Sequence, residues 1–312
     1  MSTEARHGPS GEVVSAPSDT NRWALPEMGG SAAGSSPGAV ISIVTITKDD
    51  PVGIRKTVVS VAQQDFSQYE HVVVNGGSSD EVAEFLTLWR DGAPNRRILL
   101  DDPPAGIYPS MNAGIMRTTA PVVLVLNGGD ELTPGALRRV GEHYELHRWR
   151  WAYGGLQGRD WEGRLQGEYN FSPFSRRILR AGLKPIPHQA AYVTRDLYHQ
   201  IGLYRDDLGS AADQEFFLRA SGVADPRQIP GILAVVETWG LSTEETFLGR
   251  EFSWHRLRLA SGTAFGGRVA PDLVVTVGLL ARLFLIRLVP KLRSLVSGLV
   301  RRDGRRTGAD SC

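Results

Sequence analysis

Cysteine is all but missing from this chain of 312 residues, where Cys312 stands alone. That excludes an internal disulfide framework and a cysteine-built metal site, and it points to a reducing, cytoplasmic setting. An excess of charge is missing too. The formal net charge is +1, and neither a zinc-finger spacing nor a basic run interleaved with aromatics appears. No global field would gather nucleic acid, so no nucleic-acid partner is expected. Residues 1–38 lack the charged and apolar regions of a secretion signal and are mostly Ser, Gly, Pro, Ala and charged residues, which reads as a disordered tail. An unbroken apolar span is absent as well. Residues 273–289 are strongly apolar but carry Arg282 and Arg287, and Pro290, Lys291, Arg293, Arg301, Arg302, Arg305 and Arg306 follow. Each arginine costs roughly 2.5 to 3.5 kcal/mol near the centre of a membrane span. Residues 263–312 are therefore expected to form a basic, apolar helical segment. Two placements stand open for it: peripheral contact with the inner face of a membrane, or packing on the domain with a solvated basic tail.

What is present is core-forming material, 41% hydrophobic residues against 22% charged, arranged as alternating strand and helix signals. Residues 40–47 are β-branched and strand-like, and Asp50-Pro51 opens an apolar-periodic helix through Ile54, Val58 and Val61. A second strand is expected at 71–74, then a turn with a helix cap at Gly76-Gly77-Ser78-Ser79-Asp80, a helix at 82–89 and a third strand at 97–100. Such alternation implies an α/β fold with a mostly parallel central sheet covered by helices on both sides. The segment Thr45-Ile46-Thr47-Lys48-Asp49-Asp50 holds neither the dinucleotide fingerprint nor the phosphate-loop lysine, so dehydrogenase and ATPase readings lose their main support. Past Trp149 the pattern loosens into short strands at 151–156, 164–169 and 189–193 and helices at 195–201 and 213–220, a half suited to selecting the second substrate.

The most informative stretch runs from Gly106 to Leu132. Val122, Val123, Leu124, Val125 and Leu126 form a continuous apolar run, the mark of a strand buried on both faces, and it stops at Asn127-Gly128-Gly129-Asp130. Residues at that carboxyl edge are where open α/β sheets bind ligands. On its own this is a polar turn after a buried strand, with Asp130 capping the next helix.

Taken in order, Ser42-Ile43-Val44-Thr45-Ile46-Thr47, Val73-Val74-Asn75-Gly76-Gly77-Ser78-Ser79-Asp80, Gly106-Ile107-Tyr108, Met111-Asn112-Ala113-Gly114, Leu126-Asn127-Gly128-Gly129-Asp130, His188-Gln189 and Ala212-Asp213-Gln214-Glu215 resemble glycosyltransferase family two, closest to its bacterial polysaccharide and glycolipid branch. The likeness spans about residues 40–242, and several motifs in the right order are more specific than any one of them. It implies a GT-A domain, taken as residues 39–262, an inverting transfer, a nucleoside-diphosphate sugar donor, a lipid-linked or glycan acceptor and a divalent cation, Mg or Mn.

The resemblance also assigns roles. Thr45, Thr47 and Lys48 would face the base and ribose from the first strand, and Asn75, Gly76, Ser78 and Asp80 from the second, with amides of the glycine turn donating hydrogen bonds. Tyr108, Asn112 and Asn127 would help hold the nucleotide sugar. The family's metal motif is Asp-x-Asp, or Asn-Ser-Gly-Asp in this branch. Here Asp130 is the one carboxylate left, and the cation would sit on Asp130 and the Asn127 amide oxygen. Asp213 matches the base that deprotonates the acceptor hydroxyl, a role compatible with capping the helix it opens. His188 and Gln189 would face the acceptor. The departures are Asn75, Pro104, Pro109 and Glu215, each standing where the family carries an aspartate or similar acid. Such thinning leaves a second reading, a non-catalytic sugar-nucleotide-binding or scaffold relative of the same fold.

Overall fold

The computed structural model describes residues 38–92, 97–101, 103–160, 162–169, 173–180 and 185–237, with 256–257, 270, 273–274, 276–278 and 281. The expected tail up to residue 37 and, save those few positions, the basic C-terminal segment lie outside the described residues. Among the described residues no helix is long and apolar enough to cross a membrane.

Strands β1 (Ile41–Thr47), β2 (Tyr69–Asn75), β3 (Arg97–Asp101) and β4 (Val122–Val125) form a parallel block in the order β3-β2-β1-β4. The β-branched side chains of β1, β2 and β4 fit a pleated surface buried on both faces, with Val122 to Leu126 at most 2% exposed, while β3 is a half-buried edge strand. Alternation sends Ile41, Ile43, Val122 and Leu124 to one core and Val44, Val72, Val123 and Val125 to the other. Helix α1 (Pro51–Ala62) starts where expected: Asp50 Oδ1 accepts from Gly53 N–H at 2.8 Å and Pro51 takes the first helical position. Helices α2 (Asp80–Asp91), with Ser79 at its cap position but making no side-chain cap bond, and α3 (Ile107–Met116) complete the block. At Gly114, α3 approaches β1 so closely that a Cβ would lie 2.3 Å from Val44 Cγ1, which is why a glycine stands there.

The second half departs from the parallel pattern. β5 (Glu131–Leu132), helix α4 (Ala136–His147), β6 (Trp151–Arg159), β7 (Leu165–Tyr169), α5 (Arg176–Arg180), β8 (Ala191–Thr194), α6 (Arg195–Ile201), α7 (Ala212–Val223) and β9 (Arg227–Glu237) follow in order. β8 runs antiparallel to β4, β6 antiparallel to β8, β9 parallel to β6 and β5 antiparallel to β9, while β7 folds back on β6. The strand expected to begin at Gln189 begins instead at Ala191, because His188–Ala190 form a single 3-10 turn after the extended Pro187. β9 escapes sequence reading because Pro230-Gly231 interrupts it; the register against β6 shifts beside that break. Arg219 fastens α7, donating to Glu215 Oε1 at 2.8 Å and to the Leu203 carbonyl at 2.8 Å. Glu215, 1% exposed and one turn earlier on the same helix, therefore orients Arg219 for its bond to the segment after α6.

Candidate functional site

β1 and β2 end level at Thr47 and Asn75, while β4 ends at Val125 opposite Val44 and the chain beyond it reaches the same edge of the sheet, where Gly128 lies against Ile46. The turn after β2 is tied together from within. Gly76 N–H donates to the Thr47 carbonyl (2.8 Å), Ser78 N–H to Asn75 Oδ1 (3.1 Å) and Ser79 N–H to Asp49 Oδ1 (2.9 Å), while Asp49 N–H donates to Ser78 Oγ (3.0 Å). Asp49 takes the left-handed conformation, φ +50°, that this interlock requires. The amides of Gly76, Ser78 and Ser79 thus serve the fold. Asn75 Nδ2 donates to Asp101 Oδ1 (3.0 Å), so both ends of that amide are engaged. Lys48 and Asp80 are exposed beside this turn.

Two other residues expected at the nucleotide turn inward. Thr45 is 0% exposed and its hydroxyl bonds His71 Nε2 at 2.9 Å beneath the edge. Asn112 donates from Nδ2 to the Tyr204 carbonyl (2.8 Å) and accepts at Oδ1 from Tyr204 N–H (3.1 Å), pinning α3 to the segment after α6. Tyr108 reaches across to the Ser210 carbonyl at 3.2 Å, its ring 5.8 Å from that of Tyr204.

The turn after β4 is built differently. Gly128 N–H donates to the Ile46 carbonyl (2.9 Å), Gly129, at φ +99°, donates to Thr57 Oγ1 (3.0 Å), and Thr57 donates to the Asp130 carbonyl (2.7 Å). The backbone is fixed, yet side-chain atoms are left over. Asn127 Oδ1 and Thr47 Oγ1 are buried with no hydrogen-bond partner, and a Cβ at Gly128 would come within 3.3 Å of that Thr47 oxygen. Buried polar atoms are nearly always paired, so these two are hydrogen-bonding capacity that the fold itself leaves unused. Asp130 does not cap α4, whose cap residue is Gly135. It is 7% exposed, and burial pushes its carboxyl up to about 7 against hydrogen bonds from the Glu237 backbone and the Gln189 side chain; the Glu237 carboxylate adds to the rise.

His188 joins the two sides of this edge. Its Nε2 lies 3.2 Å from Asn127 Nδ2 and its Nδ1 3.3 Å from Asp213 Oδ2. Asp213 sits in the first turn of α7, after the cap residue Ala211, and accepts from Gln214 N–H (2.7 Å) and Gln214 Nε2 (3.1 Å). Gln214 also clamps Ile186, donating to its carbonyl (2.8 Å) and accepting from its N–H (3.0 Å), which sets the segment that delivers His188. Gln214 and Glu237 were not singled out from sequence. Glu237 closes β9, pairs with Lys56 Nζ at 3.1 Å and lies 3.4 Å from where a Gly129 Cβ would be.

A hard divalent cation takes oxygen ligands. Among the described residues no three His, Cys, Asp or Glu side chains gather as a metal-holding group. The Asp130 carboxyl and the unpartnered Asn127 oxygen on one turn nevertheless suit a cation whose remaining ligands come from a diphosphate and water.

This parallel block with an antiparallel second half, its polar groups gathered at the carboxyl edge of β1 and β4, is the GT-A fold of glycosyltransferases. The chain belongs to Glycosyl transferase family 2, whose model matches residues 42–207. It is 34% identical over 212 residues to an uncharacterized glycosyltransferase of Mycobacterium tuberculosis, covering 65% of this chain and 77% of that one. It is 30% identical over 227 residues to a PGL/p-HBAD biosynthesis glycosyltransferase of Mycobacterium bovis, covering 69% and 82%. Among solved structures it resembles S. aureus TarS in complex with UDP-GlcNAc, with TM-score 0.56, 18% identity and coverage of 78% and 72%. It also resembles the mannosyltransferase PcManGT of Pyrobaculum calidifontis in complex with GDP-Man and Mn2+, with TM-score 0.50, 13% identity and coverage of 87% and 88%.

Proposed function

We propose that this glycosyltransferase moves a sugar, with inversion, from a nucleoside-diphosphate sugar to a hydroxyl of a lipid-linked or glycan acceptor. The observation that carries the reading is the contact chain from Asn127 through His188 to Asp213, with Asp130 on the same turn as Asn127 and held by Gln189, the neighbour of His188. It brings a carboxyl suited to the donor side and a carboxylate suited to the acceptor side around one residue. Asp213 takes the proton of the acceptor hydroxyl as its oxygen forms the new bond to the anomeric carbon, and the bond to the nucleoside diphosphate breaks on the opposite side. Thr47, Lys48, Ser78, Asp80 and Tyr108 frame the nucleotide, with Gly76 shaping the turn. Gln189 holds Asp130 through its side chain.

Asp130 and Asn127 would hold a divalent cation, which when bound neutralises the charge gathering on the departing diphosphate. The Mn2+ complex of a protein with the same fold supports this assignment, and the relatives named for PGL/p-HBAD biosynthesis support the acceptor class. The test is a thermal-shift screen of nucleoside-diphosphate sugars with Mn2+, followed by transfer assays on the sugar that stabilises the chain. Stabilisation by such a donor together with turnover supports the enzyme; binding with no hydrolysis or transfer supports the non-catalytic relative instead.

A further inference from the structure

Asp213, His188 and Asn127 form a chain in which each member decides how the next presents its atoms. An ionised carboxylate can only accept, so the His188 nitrogen 3.3 Å from Asp213 Oδ2, Nδ1, must carry the ring proton. The Asn127 atom 3.2 Å from Nε2 is the amide nitrogen Nδ2, which can only donate, so Nε2 accepts and the ring carries its proton on Nδ1 alone. With the amide so turned, Asn127 Oδ1 is the end facing away from the ring, and it is buried without a partner. In the opposite arrangement, Nε2–H would donate to the Asn127 oxygen and the bare Nδ1 would face a carboxylate, acceptor against acceptor.

The ring is also held from outside the chain. It sits on the 3-10 turn His188–Ala190, and the Gln214 clamp on Ile186 sets that turn against α7 while also donating to Asp213. The neighbouring Gln189 supports Asp130, so one short segment serves both carboxyl groups.

We propose that His188 is a positioning residue, a ring that donates from Nδ1 to the Asp213 carboxylate and accepts at Nε2 from the Asn127 amide, so fixing that amide's orientation and leaving its oxygen open to ligand. The inference rests on the roles proposed above for Asp213 and Asn127. Its consequence is that the donor-side turn and the base are set in register by one ring, and His188 keeps its own proton while Asp213 receives the one from the acceptor.

Long-range proton–nitrogen spectra of the full chain labelled with 15N-histidine test the relay without any donor, so an inactive chain leaves the measurement intact. His188 is assigned by the signal lost in His188→Gln. The expected result is a protonated Nδ1 and an unprotonated Nε2, moving toward a mixture of tautomers in Asp213→Ala. A protonated Nε2 in the wild type, as the other tautomer or as an imidazolium, or an Nδ1–H form that Asp213→Ala leaves in place, overturns the proposal. Kinetics give a second reading. An asparagine amide nitrogen stands where Nδ1 stood and a glutamine carbonyl where Nε2 stood, so the two variants each keep one arm. His188→Gln should hold Mn2+-dependent affinity for UDP or GDP while kcat, read as nucleoside diphosphate released from UDP-N-acetylglucosamine or GDP-mannose, falls about tenfold. His188→Asn should show the reverse split, KM and nucleotide affinity worsening more than kcat. Parallel losses in both, tracking a lowered Tm, identify a merely structural histidine and overturn the proposal.

Discussion

Two glycine turns lie at the same edge of the sheet, one after β2 and one after β4, and they use their polar groups in opposite ways. In the first, Asn75, Ser78, Asp49 and Ser79 satisfy one another. In the second the backbone is tied down by Thr57, but the Asn127 oxygen is left without a partner and the Asp130 carboxyl is held near 7. A hydrogen bond made within the fold contributes about 1 kcal/mol, and a buried group left unmade costs roughly 1 to 3 kcal/mol. The turn after β2 is accordingly a structural brace, whereas the turn after β4 keeps polar atoms that the fold itself does not use.

The largest effect expected from this contrast lies across the cleft. Asp213→Asn should lower kcat for transfer by roughly 10²- to 10⁴-fold, the usual range for a lost general base, with nucleotide affinity nearly unchanged. Steady-state kinetics alongside calorimetry read both, and undiminished turnover removes Asp213 from the chemistry. Next comes acid stability beneath the turn after β2. Burial, with the Arg97 charge adding, lowers His71 from 6.5 to about 3. The folded value is depressed, so this stability is complete above pH 6.5 and is lost as pH falls from 6.5 toward 3, by on the order of a few kcal/mol. His71→Gln should flatten that limb in urea unfolding curves; a limb of unchanged slope assigns the loss to other groups.

Asp130→Asn sharpens the contrast from the open side. It should weaken Mn2+-dependent nucleotide binding roughly tenfold to a hundredfold. The same change should spare the metal-free fold. The Asp130 carboxyl is raised from 3.8 to about 7, so stability falls as pH rises between those values, and at pH 8 the uncharged variant should melt no lower than the wild type. A large drop in Tm with no change in binding would make Asp130 a structural group and erase the distinction between the turns.

How far the sequence exposes this arrangement differs along the chain for physical reasons. Strands β1, β2 and β4 are legible because burial on both faces demands continuous runs such as Val122 to Leu126, and α1 is legible because Asp50-Pro51 is a local start signal. β9 is not, since its pairing with β6 outweighs the break at Pro230-Gly231. The same division holds in the site. Asp213, Asp130, Asn127 and His188 stand in ordered motifs, whereas Gln214 and Glu237 act through contacts with Ile186 and with Asp130 that no spacing encodes. Asn75 and Asn112 show the complementary limit: residue type announces an amide at the edge, but only the fold reveals that Ser78, Asp101 and Tyr204 already occupy it.

The smallest effect expected tests the turn after β2 directly, by restoring the acid common in the family. Asn75→Asp keeps an oxygen for Ser78 N–H but replaces the donor facing Asp101 Oδ1, now at 3.0 Å, with a second acceptor. Asn75 is buried while Asp101 is exposed, so solvent screens part of the repulsion and the cost should be about 1 kcal/mol. Thermal melts should show a small drop that is larger in low salt than in high, and Asn75→Asp combined with Asp101→Asn should recover it, because the donor and acceptor then exchange places across the same gap. If the single variant instead gains nucleotide affinity with no loss of stability, position 75 reads the ligand and the turn after β2 is as open as the turn after β4.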